Sequence, residues 1–174
     1  MAAAKRSSKG EPRRSSVDRV HLDDIDREIL DLMQRDSRTS RAEVGRAVGL
    51  SAAAVHERIK KLERSGVVAG YTVTLDAELA GCDLLAFVEV FIEQPSNEVR
   101  FLDEVSGMPE VQECHRITGA ATCLLKVRTS NRRGLQTLIL DRINALPGVR
   151  GTETIVVLST TKESHALNLG AAAD

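Results

Sequence analysis

Three residues, Gly49-Leu50-Ser51, separate two segments that both read as helices, and this short link limits the fold more than any other feature of the chain. The earlier segment starts at Ser40, which with Glu43 makes a Ser-x-x-Glu capping box, and it turns Val44, Ala47 and Val48 to one side. The later one starts at Ser51 as its N-cap, buries Val55, Ile59 and Leu62, and ends at Gly66. Gly49 suits the left-handed position that stops a helix. So short a link makes the two helices cross steeply, with Leu50 in the corner. That is helix-turn-helix geometry, in which the later helix enters the major groove of duplex DNA. A further helix precedes them over about Asp23 to Gln34, with Ile25, Ile29, Leu32 and Met33 at helical spacing and acids near its start.

The charge pattern agrees. Net charge is −1, but its distribution is uneven. Acids dominate from Asp18 to Asp36, whereas from Arg38 to Arg64 the bases Arg38, Arg41, Arg46, Arg58, Lys60, Lys61 and Arg64 outnumber Glu43, Glu57 and Glu63. A basic surplus confined to one short segment is what a DNA-facing element needs. The outward positions of the later helix are small or polar at its start (Ser51, Ala52, Ala53, His56, Glu57) and basic further along (Arg58, Lys60, Lys61, Arg64). Small residues let a helix approach base edges, and bases meet phosphates. With Arg38, Ser40 and Arg41 at the start of the preceding helix, these are the expected contacts to double-stranded DNA. Two readings compete: a solvated three-helix bundle, and a regulatory or assembly subunit whose helix-turn-helix docks protein.

Beyond Tyr71 the pattern changes. Tyr71–Leu75 reads as a linking strand and Asp76–Gly81 as a connector. Then follow a strand over Leu84–Ile92, a helix over Asn97–Ser106, strands over Val111–Thr118 and Thr122–Thr129, a helix over Asn131–Ala145 and a strand over Val149–Leu158. The halves echo one another: Met108-Pro109-Glu110-Val111 and Leu146-Pro147-Gly148-Val149 each stop a helix at Pro and open a strand at Val. This β-α-β-β-α-β order predicts a ferredoxin-like unit, and the whole chain an α+β protein. In its first strand Leu84, Ala86, Val88, Val90 and Ile92 make one apolar face, while Leu85, Phe87 and Phe91 make the other largely apolar, with Glu89 between. Two helices cover one side of a small sheet, so the other side calls for a second copy, giving a homodimer with two reading helices about one DNA turn apart.

The residues also resemble a family. Val48-Gly49-Leu50-Ser51, Val55, Arg58-Ile59, Leu62-Glu63, Gly66-Val67-Val68 and Gly70-Tyr71, with the upstream Leu22-Asp23-x-x-Asp26-x-x-Ile29-Leu30, are similar to the leucine-responsive regulator/AsnC (feast/famine) family. The resemblance runs from about Leu22 to Leu158. It implies a three-helix, winged-type helix-turn-helix domain followed by a ferredoxin-like sensor of the RAM or ACT-like kind. It also implies dimers that assemble further, commonly into octamers, and a small amino acid bound at the cleft between dimers. Carried over, the effector positions are the turn Gly119, Ala120, Ala121 and Thr122, with Met108, Pro109, Glu110 and Thr152, Glu153, Thr154 nearby. This chain departs from the family there, since it reads Gly119-Ala120-Ala121-Thr122 where a Gly-Asp-x-Asp pattern is usual. An ammonium group wants a carboxylate or a ring of carbonyls. Either backbone carbonyls serve, or the ligand differs, or there is none; Glu110 and Glu153 are candidates to replace the charge.

Other classes find little support. No nucleophile–base spacing, paired-carboxylate site, phosphate-cradling loop or metal-ligand spacing stands out, so no enzyme, cofactor or metal is expected. Cys114 beside His115 does not make a catalytic pair, because neighbours on a strand face opposite ways. The cysteines Cys82, Cys114 and Cys123 have no C-x-x-C spacing, and no run approaches the roughly 18 apolar residues of a membrane span, which together suggest a cytoplasmic protein. The aromatics are Tyr71, Phe87, Phe91 and Phe101, too few for a single-strand stacking surface. The expected organisation is a disordered basic tail at 1–17, a reading domain at 18–70, a linker at 71–82, a sensing and assembly domain at 83–159, and a tail at 160–174.

Overall fold

The computed structural model describes residues 19–170, so the expected basic tail at 1–17 lies outside them. The described residues divide into two units, one running up to Thr72 and including the segment from His165, the other Val73–Ser164.

The first unit holds α1 (Asp24–Arg35), α2 (Arg41–Val48) and α3 (Ala52–Arg64). Each begins on a side-chain cap, in which Asp23, Ser40 and Ser51 accept from the backbone N–H of Asp26 at 2.7 Å, Glu43 at 3.2 Å and Ala54 at 3.2 Å. Glu43 returns the bond to the Ser40 N–H at 2.9 Å, completing the capping box. The caps fix where the helices start. Burial then fixes how they pack, with Ile29, Met33, Val44, Val55 and Ile59 enclosed and Ile25, Leu32, Val48 and Leu50 packed around them. Each such aliphatic side chain contributes about 1.5–3 kcal/mol by leaving water. After α3 the chain reverses at Gly66, and the Val68 N–H donates to the Leu62 carbonyl at 3.2 Å. No strand pair forms over 66–75 among the described residues. The linking strand expected at Tyr71–Leu75 has no ladder, because a strand needs a partner and these exposed residues have none beside them in the chain.

The second unit holds β1 (Leu84–Ile92), α4 (Pro95–Ser106), β2 (Val111–Arg116), β3 (Cys123–Thr129), α5 (Arg132–Thr137) and β4 (Val149–Val156), with α5 widening into a π-helical turn over Leu138–Ile143. The sheet order is β2-β3-β1-β4 with every neighbouring pair antiparallel, which is the ferredoxin-like arrangement. Its helix-covered face packs Ala86, Val88, Val90, Cys123, Leu125 and Val127 against Phe101, Val105 and Met108 on the α4 side and Leu135, Leu138 and Ile143 on the α5 side. The opposite face carries Phe87 beside Ile155, which is 56% exposed, and Glu89 directly opposite Glu153. At one end of that face Ser159–Glu163 line a groove with Leu85, Phe87 and Lys126. There Lys126 is clamped by Glu113 at 3.3 Å and by Glu163. No helix of the described residues is long and apolar enough to cross a membrane.

Candidate functional site

The corner between α2 and α3 is built from two glycines and one leucine. Gly49 takes φ +71°, the left-handed conformation that closes α2. The Gly49 and Leu50 N–H groups both donate to the Gly45 carbonyl, Leu50 at 2.8 Å. Gly45 is buried, and a Cβ there would lie 2.5 Å from the Leu50 carbonyl oxygen. The last turn of α2 therefore rests directly on the backbone of the link. Sequence reading missed Gly45. Its signal was a glycine inside an otherwise well-formed helix, which costs about 1 kcal/mol and so needs a packing reason.

Held this way, α3 buries Val55, Ile59 and Leu62 and exposes the opposite side: Ser51, Ala52, Ala53, His56, Glu57, Lys60, Lys61 and Arg64 are all exposed. The hydroxyls of Ser40 and Ser51 are engaged as caps. Lys60 reaches Glu57 at 3.8 Å, and Arg38 pairs with Asp36 at 3.3 Å, both in open solvent where such pairs are weak. Arg41 is half-buried at the start of α2. Arg58 behaves differently from the other expected contacts. Its guanidinium turns back to α1, donating at 2.7 Å to Asp23 and at 2.7 Å to Asp26, a residue only 2% exposed. The bond from Arg58, aided by the Asp26 N–H, holds the Asp23 carboxyl below its ordinary value. Arg58 thus fastens the reading helix to the helix behind it. Near the end of α3 the Tyr71 hydroxyl donates to Glu63 at 2.8 Å; burial, then this bond, push its pKa up.

The expected effector positions fall in two places within the chain. Gly119 (φ +127°) opens the β2–β3 turn, Ala120 is exposed and Ala121 is 5% exposed. The Thr122 N–H donates to the Val90 carbonyl at 2.9 Å, and its hydroxyl accepts from the Ile92 N–H at 3.2 Å. Thr152 sits opposite Val90 on the other side of β1 and so shares that end of the sheet, with Thr154 opposite Val88 and Glu153 opposite Glu89. Met108, Pro109 and Glu110 are elsewhere: the Glu110 carbonyl accepts from Arg128, five residues up β3 from Cys123, or about 17 Å along the strand. Met108 belongs to the core, and the Glu110 carboxylate is already held by Arg142 at 2.8 Å. Sequence reading also missed an acid beside the turn. Glu98 of α4, 8% exposed, accepts from Arg116, which stands opposite Cys123 in the first register pair after the turn. That bond holds the Glu98 carboxyl below its ordinary range. Cys114 faces the core while His115 pairs with Glu113 at 3.0 Å, so the two point apart as expected.

A capped basic helix set outward by a three-residue link, in the same chain as a ferredoxin-like unit with one face free of helices, makes this a two-part helix-turn-helix protein. Comparison with known proteins carries this to a family. Residues 22–63 match the AsnC-type helix-turn-helix domain, and residues 85–167 the Lrp/AsnC ligand binding domain. The chain is 37% identical over 150 residues to the HTH-type transcriptional regulator FL11 of Pyrococcus horikoshii, covering 86% of this chain and 97% of that protein. It is 38% identical over 148 residues to the leucine-responsive regulatory protein of Escherichia coli, covering 84% and 90%. The structure of the transcriptional regulator NMB0573 of Neisseria meningitidis, solved as an L-Met complex, superimposes with a TM-score of 0.82 at 29% identity, over 86% of this chain and 97% of that one. The chain belongs to the Lrp/AsnC family of transcription regulators, with a DNA-binding helix-turn-helix domain and a ligand-binding domain.

Proposed function

We propose that the chain is a sequence-specific regulator that lays α3 into the major groove and responds to a small amino acid bound between its dimers. The observation that carries this is the link at Gly45–Ser51, where backbone rests on backbone and leaves one face of α3 open. On this reading Ala52, Ala53, His56 and Glu57 meet base edges. Lys60, Lys61 and Arg64, with Arg38 and Arg41 at the start of α2, meet phosphates, and Arg58 keeps α3 in place. The test is binding to a duplex selected from a randomised library, measured against salt. An affinity that falls steeply as salt rises and separates the selected duplex from a scrambled one supports the reading; equal binding to both refutes it.

Dimerisation through the sheet face around Phe87 and Ile155 supplies the two reading helices that a two-fold operator requires, and further assembly brings copies around the β2–β3 turn. For the effector, Glu98 beside the turn offers the carboxylate that Ala120 and Thr122 lack, and its partner Arg116 a guanidinium for the ligand's own carboxylate. The L-Met complex of the Neisseria regulator favours an amino acid as the ligand class. A ligand held between dimers changes DNA binding only by its differential affinity for two assembly geometries. Calorimetry against the twenty amino acids tests this part. One or more binders, weakened by Glu98→Gln, supports it, and twenty silent titrations remove it.

A further inference from the structure

The C-terminal segment, which sequence reading left without a role, ends on the reading unit. Leaving the sheet unit after Ser164, the chain runs along α1, and the Gln34 side chain meets Leu167 as a neighbouring strand would. The Leu167 N–H donates to Gln34 Oε1 at 2.7 Å, and Gln34 Nε2 donates to the Leu167 carbonyl at 3.1 Å. Two turns earlier on the helix, Arg27 Nη1 donates to the Leu169 carbonyl at 2.9 Å while Nη2 donates to the Leu22 carbonyl at 3.0 Å. Arg27 therefore ties the entry to α1 and the C-terminal segment to one guanidinium. All of these contacts read main chain, the mode by which proteins bind extended peptides. The same helix is also fastened to α3, by the Asp23 and Asp26 bonds from Arg58.

We propose that the outer face of α1 is a peptide-docking surface whose occupant is the chain's own C-terminal segment, and that this strap steadies the reading helix. Its removal loosens α1, and through Arg58 the loosening reaches α3. The inference rests on the DNA-binding reading only for its last step, so two readouts separate the two. Hydrogen exchange of α1 amides is compared in the full chain, in a chain ending at Ser164, and in Leu167→Pro, which deletes one donor at an exposed site; circular dichroism checks that each remains folded. Exchange in α1 about fivefold faster or more is expected in the chain ending at Ser164, which loses three hydrogen bonds to the segment, and a smaller rise in Leu167→Pro, which loses one. A matching drop in affinity for the selected duplex is expected as well. Unchanged α1 exchange overturns the strap whatever happens to DNA binding; faster exchange with unchanged affinity keeps the docking surface and overturns its link to reading. A Cys82→Ser, Gln34→Cys, Leu167→Cys chain, treated with oxidised glutathione, decides the occupant. A bond closing within one chain supports the strap, and a covalent dimer on a non-reducing gel overturns it in favour of a partner's tail.

Discussion

Gly45→Ala separates the packing account of the reading head from one based on helix propensity, because the two predict opposite signs. By propensity alone, alanine in a helix interior is better than glycine by about 1 kcal/mol, so the change stabilises. The structure says otherwise. The new Cβ would lie 2.5 Å from the Leu50 carbonyl oxygen and 3.4 Å from its carbon, and both are backbone atoms. An ordinary contact needs about 3.4 Å or more, so the link would have to retreat by close to an ångström. It is held by the Leu50 N–H bond to Gly45 itself at 2.8 Å and by the cap of Ser51 on Ala54. Overpacking of this kind costs about 1–3 kcal/mol, with the lost bond near the upper end, and the propensity gain offsets only part of it. Net destabilisation of about 1–2 kcal/mol is expected. In a unit of this size that lowers the melting temperature by several degrees. The duplex affinity should fall further than the stability change alone explains, because the α2–α3 crossing opens. Urea unfolding followed by helix signal gives the first quantity and anisotropy of a labelled duplex the second. Ala42→Gly, on the exposed face of α2, serves as the propensity control. A Gly45→Ala chain as stable as the parent or more so would refute the reasoning.

Arg58→Met should cost about 1–3 kcal/mol, since it strands the buried Asp26 carboxylate. It should also blunt acid sensitivity. The Asp23 carboxyl is held below its ordinary 3.8, so its contribution is complete above that value and is lost as pH falls through the depressed one; a melting-temperature series below pH 5 should be flatter in the variant. Replacing Lys60 and Lys61 together with Ala should weaken binding to every duplex and reduce the slope of log affinity against log salt by about 1–2; an unchanged slope takes both residues off the phosphates. Phe87→Asp combined with Ile155→Asp should convert the assembly to monomers by sedimentation, and retention of the parent's mass would place the dimer contact elsewhere.

How much of this was readable in the residues depended on whether the signal was local. Caps, helix spans and the Gly49 stop involve neighbours a few positions apart, and Asp23, Ser40, Glu43 and Ser51 do what their spacing announces. Strand β1 was legible to the residue because its apolar run, broken only by Glu89, is too short for a buried helix and suits a strand covered on both faces. What was missed lies across long separations. Arg58 reads as one more outward base until Asp23 and Asp26, thirty-five and thirty-two positions away, claim its guanidinium. Glu98 and Arg116, eighteen apart, meet only once α4 lies on the sheet. Within one chain β2 sets Met108–Glu110 and Gly119–Thr122 at opposite ends of the sheet, so a shared effector site needs a second copy to bring them together. Tyr71–Leu75 forms no ladder within the chain, since extended residues with β propensity pair only where an edge is offered.

The central claim, that α3 lies in the major groove, is met most directly by dimethyl sulfate footprinting of guanine N7 on the selected duplex. Two protected patches about one helical turn apart, both lost when Ala53 is enlarged to Trp, are the predicted result. Tight binding that leaves every guanine N7 open to the reagent would contradict it.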